Sequence, residues 1–233
     1  MRKQFPLQEP ICVVCPTRDR PEEFQGLADS FLSTSTKAHL VAYLDEDDPK
    51  LRDYWSVPTQ ERITLHVDRR LGPVHSVNRI CDLYRGPGIY GIAPDDSRFL
   101  VPGWDEYVLG EFEQMPGRLG VLSASHDQGD YVNLPYVSRE WIEVVGWFAY
   151  PEAYHFIWDT VLEMIGEATK IVYSDPARFK MHHGYLLAAN KSEHYQKDAT
   201  SFLIFCVNDR REIVKRVRAA MEAHAKDQRP LRR

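Results

Sequence analysis

The sequence predicts an α/β fold with a mostly parallel central sheet flanked by helices. Strand-like and helix-like segments alternate along the first hundred residues. The strand-like segments are short apolar runs, as in sheets covered on both faces. Three of these runs (the first, second and fourth) end in polar or acidic residues, and in parallel sheets ligands sit outside the carboxyl ends of the strands.

Ile11–Cys15, closed by Pro16, reads as a buried strand. Pro21 opens a helix in which Phe24, Leu27, Ala28, Phe31 and Leu32 share one face. Leu40–Leu44 is the second strand, stopped by Asp45-Glu-Asp-Asp-Pro49, and Ile63–Val67 the third. Helical spacing returns at Val77, Ile80, Cys81 and Tyr84, followed by the turn Gly86-Pro-Gly88 and the strand Ile89–Ala93. Trp104, Val108 and Phe112 mark a helix, and Leu119–Ala124 a strand. Ser138 caps a short helix through Val145. Tyr154, Ile157, Trp158, Val161, Leu162 and Ile165 form the cleanest amphipathic pattern. Ile171–Tyr173 is a brief strand, and helix dominates from about Asp198, with Ile213, Val214, Val217 and Met221 inward. No linker interrupts the chain, so the expectation is one domain over 1–233, with a ligand-binding half at 11–105, a second half at 106–197 and a helical basic tail at 198–233.

The 233 residues carry 29 Lys and Arg against 34 Asp and Glu, a net charge of −5. That balance argues against a general nucleic-acid binder. The charge is uneven: residues 210–233 hold nine Lys or Arg and three acids, +6, which leaves −11 elsewhere. Cys12 and Cys15 have CxxC spacing within a strand, where residues three apart face opposite sides, so they read as buried apolar side chains. Met1-Arg-Lys-Gln-Phe-Pro6 has no apolar segment behind it, and no run approaches the roughly 18 apolar residues of a membrane helix. The expectation is a soluble cytoplasmic protein, or one of the host cytoplasm if phage-encoded, with no membrane partner.

Gly86-Pro-Gly-Ile-Tyr-Gly91 matches GxGxxG literally but precedes a strand, so it reads as a turn. Asp95-Asp96 is the sharpest local feature. Adjacent carboxylates at a strand end repel unless compensated, and they suit a hard cation that takes its remaining ligands from a diphosphate. The segments Pro16-Thr-Arg-Asp-Arg-Pro21, Asp45-Glu-Asp-Asp-Pro49, Leu71-Gly-Pro-Val-His-Ser-Val-Asn78 and Asp95-Asp96 before Pro102-Gly-Trp-Asp105 form an ordered series.

This series resembles nucleotide-sugar glycosyltransferases of the GT-A (Rossmann-like) fold, well over 11–105 and more loosely over 145–185. The resemblance implies a nucleoside diphosphate sugar donor, UDP-linked by preference, and Mn²⁺ or Mg²⁺ as cofactor. It places Pro16, Thr17 and Arg18 along the base pocket, with Asp45 on the base and Asp47 as the alternative to it. Asn78 and Arg79 would approach the nucleotide or sugar, Asp95 the ribose or sugar, and Asp96 the metal. The family's DxD motif is incomplete here, since Pro94 and Ser97 flank the pair. A late histidine ligand falls at His182-His183, with His183 preferred.

An inverting route needs a general base, and Asp159 is the candidate, sharing a helix flank with His155 four residues earlier. Trp104, Trp141, Trp147, Phe148 and Tyr150 are candidates for stacking on an acceptor. The acceptor itself is open between a glycan, a small molecule and a modified DNA base, the last suggested by compactness and the basic tail. A nucleotidyltransferase remains a rival, although Pro-Thr-Arg-Asp-Arg lacks the glycine-rich loop of that class. A non-catalytic binding module of the same fold is another, favoured by the incomplete DxD.

Overall fold

The computed structural model describes residues 7–57, 61–127, 131–155, 157–184 and 193–227. A seven-stranded sheet runs in the order β3 (Ile63–Asp68), β2 (Ala38–Asp45), β1 (Ile11–Thr17), β4 (Ile89–Ile92), β7 (Pro135–Ser138), β6 (Val121–Ser123), β8 (Ile171–Tyr173). All of its strands are parallel except β7, which runs antiparallel to both neighbours. A two-stranded ribbon pairs β5 (Ser97–Phe99) with β9 (Met181–His183).

The period-two alternation of β1 divides the core into two layers. Cys12 and Val14 pack with α2 (Pro73–Leu83), α4 (Arg139–Val145), α5 (Trp158–Ala168) and α7 (Arg210–Asp227). Val13 and Cys15 pack with α1 (Pro21–Thr34) and α3 (Trp104–Gln114) on the other side. The CxxC pair is therefore split between the layers, as the strand period requires. On the second side Phe99, Trp104 and Phe179 stack, with centroids 4.6 and 5.0 Å from Trp104. Each such buried aromatic contributes about 1.5–3 kcal/mol of apolar burial.

The Gly86–Gly91 stretch is the turn into β4 plus the strand itself. Gly91 has no room for a side chain, because an added Cβ would lie 2.1 Å from the Tyr136 ring on β7. That close approach, and not phosphate binding, is what its glycine serves. Ser138 ends β7 and also caps α4, accepting from the Trp141 N–H at 3.0 Å.

The segment before α5 departs from the periodicity. The helix begins at Trp158, not Tyr154, and Ile157 sits at φ 60°. A β-branched residue in that left-handed region is strained. The buried Asp198 of α6 (Glu193–Ile204) takes the backbone N–H of Tyr154 at 2.5 Å and of His155 at 3.1 Å. These bonds draw 154–155 out of the helix, so His155 and Asp159 do not form the expected i,i+4 pair.

Candidate active site

Because β1, β2 and β4 are mutually parallel, their carboxyl ends meet at one sheet edge. There the Thr17 hydroxyl donates to Asp95 Oδ2 at 2.7 Å. Tyr54, in the 3₁₀ turn Asp53–Ser56, donates to Thr17 Oγ1 at 2.9 Å and accepts the Arg20 N–H at 3.0 Å. One chain of donors thus runs from the Arg20 amide through two hydroxyls to a carboxylate. Asp19 holds the left-handed conformation at φ 60°, with its N–H on Asp48 Oδ2 at 2.9 Å and its carboxylate 3.3 Å from Lys50 Nζ. This fixed β1–α1 loop turns Arg20 back onto the acids: Nη1 lies 2.7 Å from Asp95 Oδ1 and Nη2 3.6 Å from Asp96 Oδ2. Burial pushes the Asp95 carboxyl upward, against the Thr17 bond and the Arg20 charge.

The β5–β9 ribbon places His183 opposite Ser97, and so beside Asp96. His183 Nε2 is 3.5 Å from Asp96 Oδ1, a buried oxygen with no hydrogen-bond partner. The Asn133 amide nitrogen lies 2.8 Å from His183 Nδ1 and donates to it, which puts the ring proton on Nε2, toward Asp96. A 180° turn of the Asn133 amide reverses the tautomer and leaves the Nε2 lone pair for a cation. Burial lowers the His183 pKa against the pull of Asp96, which keeps the ring neutral. Gly184 crowds in behind, where a Cβ would come within 3.2 Å of Asp96 Cβ. His182 points elsewhere, pairing with Asp127 at 3.0 Å.

A second group lies one and two strands away. Asp45 and Asp68 are register partners at the ends of β2 and β3. Arg18 Nη1 reaches Asp45 at 3.1 Å and Asp47 at 2.6 Å, and Arg79 Nε reaches Asp68 at 3.1 Å. Pro16 stands beside Tyr43 in the β1–β2 register. Asp68 closes its strand just as Asp45 does, a signal present in the sequence but not read from it. Tyr54, Arg20 and Asn133 also escape motif reading, because each matters only through a partner distant in the chain.

Other candidates are engaged elsewhere. Asn78 accepts from the N–H groups of Phe148 at 3.0 Å and Ala149 at 2.9 Å and donates to the Ala149 carbonyl at 2.6 Å. It tethers α2 to the 148–149 segment. Asp105 binds the Thr36 and Lys37 N–H groups ahead of β2, at the opposite edge. Trp104, Trp141, Phe148 and Tyr150 are buried in the core, which removes them as acceptor platforms; Trp147 is half-buried against Tyr150. As far as Asp227 the basic tail is a helix packed on the domain, with Ile213 and Val217 of α7 buried in the core; Arg229, Arg232 and Arg233 lie outside the described residues.

Asp159 stands in the first turn of α5. Since α5 leads into β8, parallel to β6, its N-terminus lies at the same sheet edge as the acid pair. Burial pushes the Asp159 carboxyl up to about 6, against hydrogen bonds from the Thr160 N–H, its own N–H and the Thr160 hydroxyl. A carboxyl titrating there suits proton transfer near neutral pH.

Among the described residues no group of three or more His, Cys, Asp or Glu could hold a metal ion. Asp96 and His183 supply two donors, a carboxylate and an imidazole, that fit a divalent cation completing its shell with phosphate oxygens. Among the described residues no helix is long and apolar enough to cross a membrane.

No family model and no curated protein matches the sequence. Solved structures do match. The mannosyltransferase PcManGT from Pyrobaculum calidifontis, in complex with GDP-Man and Mn²⁺, superposes with a TM-score of 0.60 at 13% identity, covering 96% of this chain and 77% of its own. Residues 1–349 of S. aureus TarS superpose with a TM-score of 0.60 at 10% identity, covering 94% of this chain and 72% of their own. Both are similar to this chain in the GT-A architecture, and the chain has that fold.

Proposed function

We propose that this chain is a glycosyltransferase that moves a sugar from a nucleoside diphosphate sugar to an acceptor hydroxyl, with Mn²⁺ or Mg²⁺ as cofactor. The observation that carries the reading is the carboxylate pair at the sheet edge. Asp95 is locked by Thr17 and Arg20, while Asp96 Oδ1 is open and faces His183. The PcManGT complex with GDP-Man and Mn²⁺ supports it, as a similar fold in which a nucleotide sugar and a divalent cation are bound together. It also sets GDP beside UDP as a nucleotide to be tested.

In this reading Asp96 and His183 hold the cation, which when bound would stabilise charge on the departing diphosphate. Arg18, Asp45, Asp47 and Pro16 line the base side, with Asp68 and Arg79 beside them. Asp95 is held rigid for the ribose or sugar, and Thr17 does the holding. Asp159 takes the acceptor hydroxyl proton as the acceptor oxygen bonds to the anomeric carbon and the diphosphate leaves with the bonding electrons. The proposed location is the cytoplasm. A modified DNA base is not carried forward as acceptor, since neither similar structure lends it support.

Calorimetric titration of GDP and UDP, each with and without Mn²⁺, tests the reading. Binding that requires Mn²⁺ supports it and selects the base; a panel of donor sugars then identifies the transferred group. No binding of either nucleotide under either condition would overturn it.

A further inference from the structure

We infer that Arg20 is a built-in counter-cation of the Asp95–Asp96 pair that keeps divalent-cation affinity low until a diphosphate arrives, so that cation and diphosphate bind together. This rests on the proposed transferase site and adds a coupling device to it.

The guanidinium holds the two acids unequally. It lies 2.7 Å from Asp95 Oδ1 but 3.6 Å from Asp96 Oδ2. The other Asp95 oxygen is taken by Thr17, so both Asp95 oxygens already have a partner. Asp96 keeps one oxygen without a hydrogen-bond partner, opposite His183. A cation entering between Asp96 and His183 therefore arrives beside a positive charge that already neutralises half of the pair. Like charges at such range raise each other's cost.

The backbone cannot carry that charge away. The Arg20 N–H is bound to Tyr54, and Asp19 before it is held by Asp48 and Lys50. Only the side chain, 38% exposed, is free to swing. A diphosphate offers a planar guanidinium a bidentate anion, and drawing Arg20 toward it removes the competitor from Asp96. The coupling is reciprocal: whatever the diphosphate does for the cation, the cation does for the diphosphate.

The test is Mn²⁺ binding to the full chain, followed by the electron paramagnetic resonance of free Mn²⁺, alone and with saturating GDP or UDP. Wild type should bind Mn²⁺ weakly alone and roughly tenfold or more tightly with nucleotide. Arg20→Gln should bind Mn²⁺ alone roughly tenfold more tightly than wild type, with the nucleotide effect reduced by a similar factor. Arg20→Lys keeps the charge and should keep the weak intrinsic affinity, which separates charge from packing. As a second readout, Arg20→Gln should melt lower than wild type without metal and gain more on adding Mn²⁺. A folded Arg20→Gln with wild-type Mn²⁺ affinity and wild-type coupling overturns the inference and leaves the transferase reading standing. If Arg20→Gln does not fold, an Arg20→Lys protein that binds Mn²⁺ alone tenfold more tightly than wild type overturns it equally. Nucleotide binding that never recruits Mn²⁺ in any variant overturns the inference together with the metal assignment.

Discussion

The Thr17 hydroxyl donates to Asp95 Oδ2 at 2.7 Å, joining the end of β1 to the turn after β4 across 78 positions of sequence. The same hydroxyl accepts from Tyr54, so one small side chain ties three segments together. Both Thr17 and Asp95 are buried, and an unmatched carboxylate there would be costly.

Thr17→Val keeps the shape and removes the hydroxyl. It should destabilise the fold by about 1–3 kcal/mol, because Asp95 and Tyr54 each lose a buried partner. Denaturant unfolding measures this, with the slope unchanged if only stability is affected. An unchanged midpoint would mean that the bond to Asp95 contributes nothing.

Asp96→Asn removes the carboxylate whose open oxygen faces His183. Mn²⁺-dependent nucleotide affinity should fall by at least about 100-fold, while circular dichroism and melting stay near wild type. Retained Mn²⁺ dependence in this variant would move the metal site away from Asp96.

Asn78→Ala separates a structural tether from a ligand contact. Three hydrogen bonds to the 148–149 backbone are lost. The expected cost is about 2–4 kcal/mol, read as a lower melting temperature. Nucleotide affinity, measured by titration below the melting range, should remain within a few-fold of wild type. A selective loss of affinity with normal melting would restore Asn78 to the pocket.

How much of this is legible in the sequence follows from the range of the interactions. The buried strands β1, β2 and β4 and the stripe of α1 are written in local periodicity, and the turn residues after each strand mark the edge that forms the site. β7 was not legible as a strand, because its four residues carry no period and its pairing with β4 depends on Gly91 admitting Tyr136. The start of α5 escapes the periodicity for a similar reason: the apolar spacing continues back to Tyr154, but Asp198, 44 residues on, takes that backbone out of the helix. Asp95-Asp96 stood out by its own chemistry, whereas Arg20 became visible only once the β1–α1 loop had folded back.

Removing residues 210–233 should cost the fold itself, not a nucleic-acid contact alone. Ile213 and Val217 fill the core beside α4 and α5, and Arg218 binds the Ala168 carbonyl at the end of α5 at 2.6 Å. The truncated chain should show a broadened or absent melting transition. Arg211→Glu with Lys215→Glu, both on exposed positions, changes the tail charge by four while sparing those contacts, and should melt near wild type. A cooperative, wild-type melting of the truncated chain would show α7 to be dispensable.

Asp159→Asn gives a prediction with two opposite signs. The Asp159 carboxyl is pushed up to about 6 in the fold from an ordinary value of 3.8. A group whose folded pKa is raised favours the fold in its protonated form, so its contribution is full below 3.8 and is lost as pH rises through about 6. Above that range the wild type carries a half-buried charge that the amide does not. Asp159→Asn should therefore melt higher than wild type at pH 8, by about 2 °C or more, and show a smaller difference at pH 5. As a general base, however, Asp159 acts only when ionised, so wild-type transfer should climb with pH through about 6 and level off above it. The variant should lose at least about 100-fold in turnover and lose that rise with it. Higher stability with lost transfer is the pattern of a side chain kept for chemistry at the expense of the fold. Equal melting at both pH values together with normal turnover would make Asp159 an ordinary first-turn residue of α5.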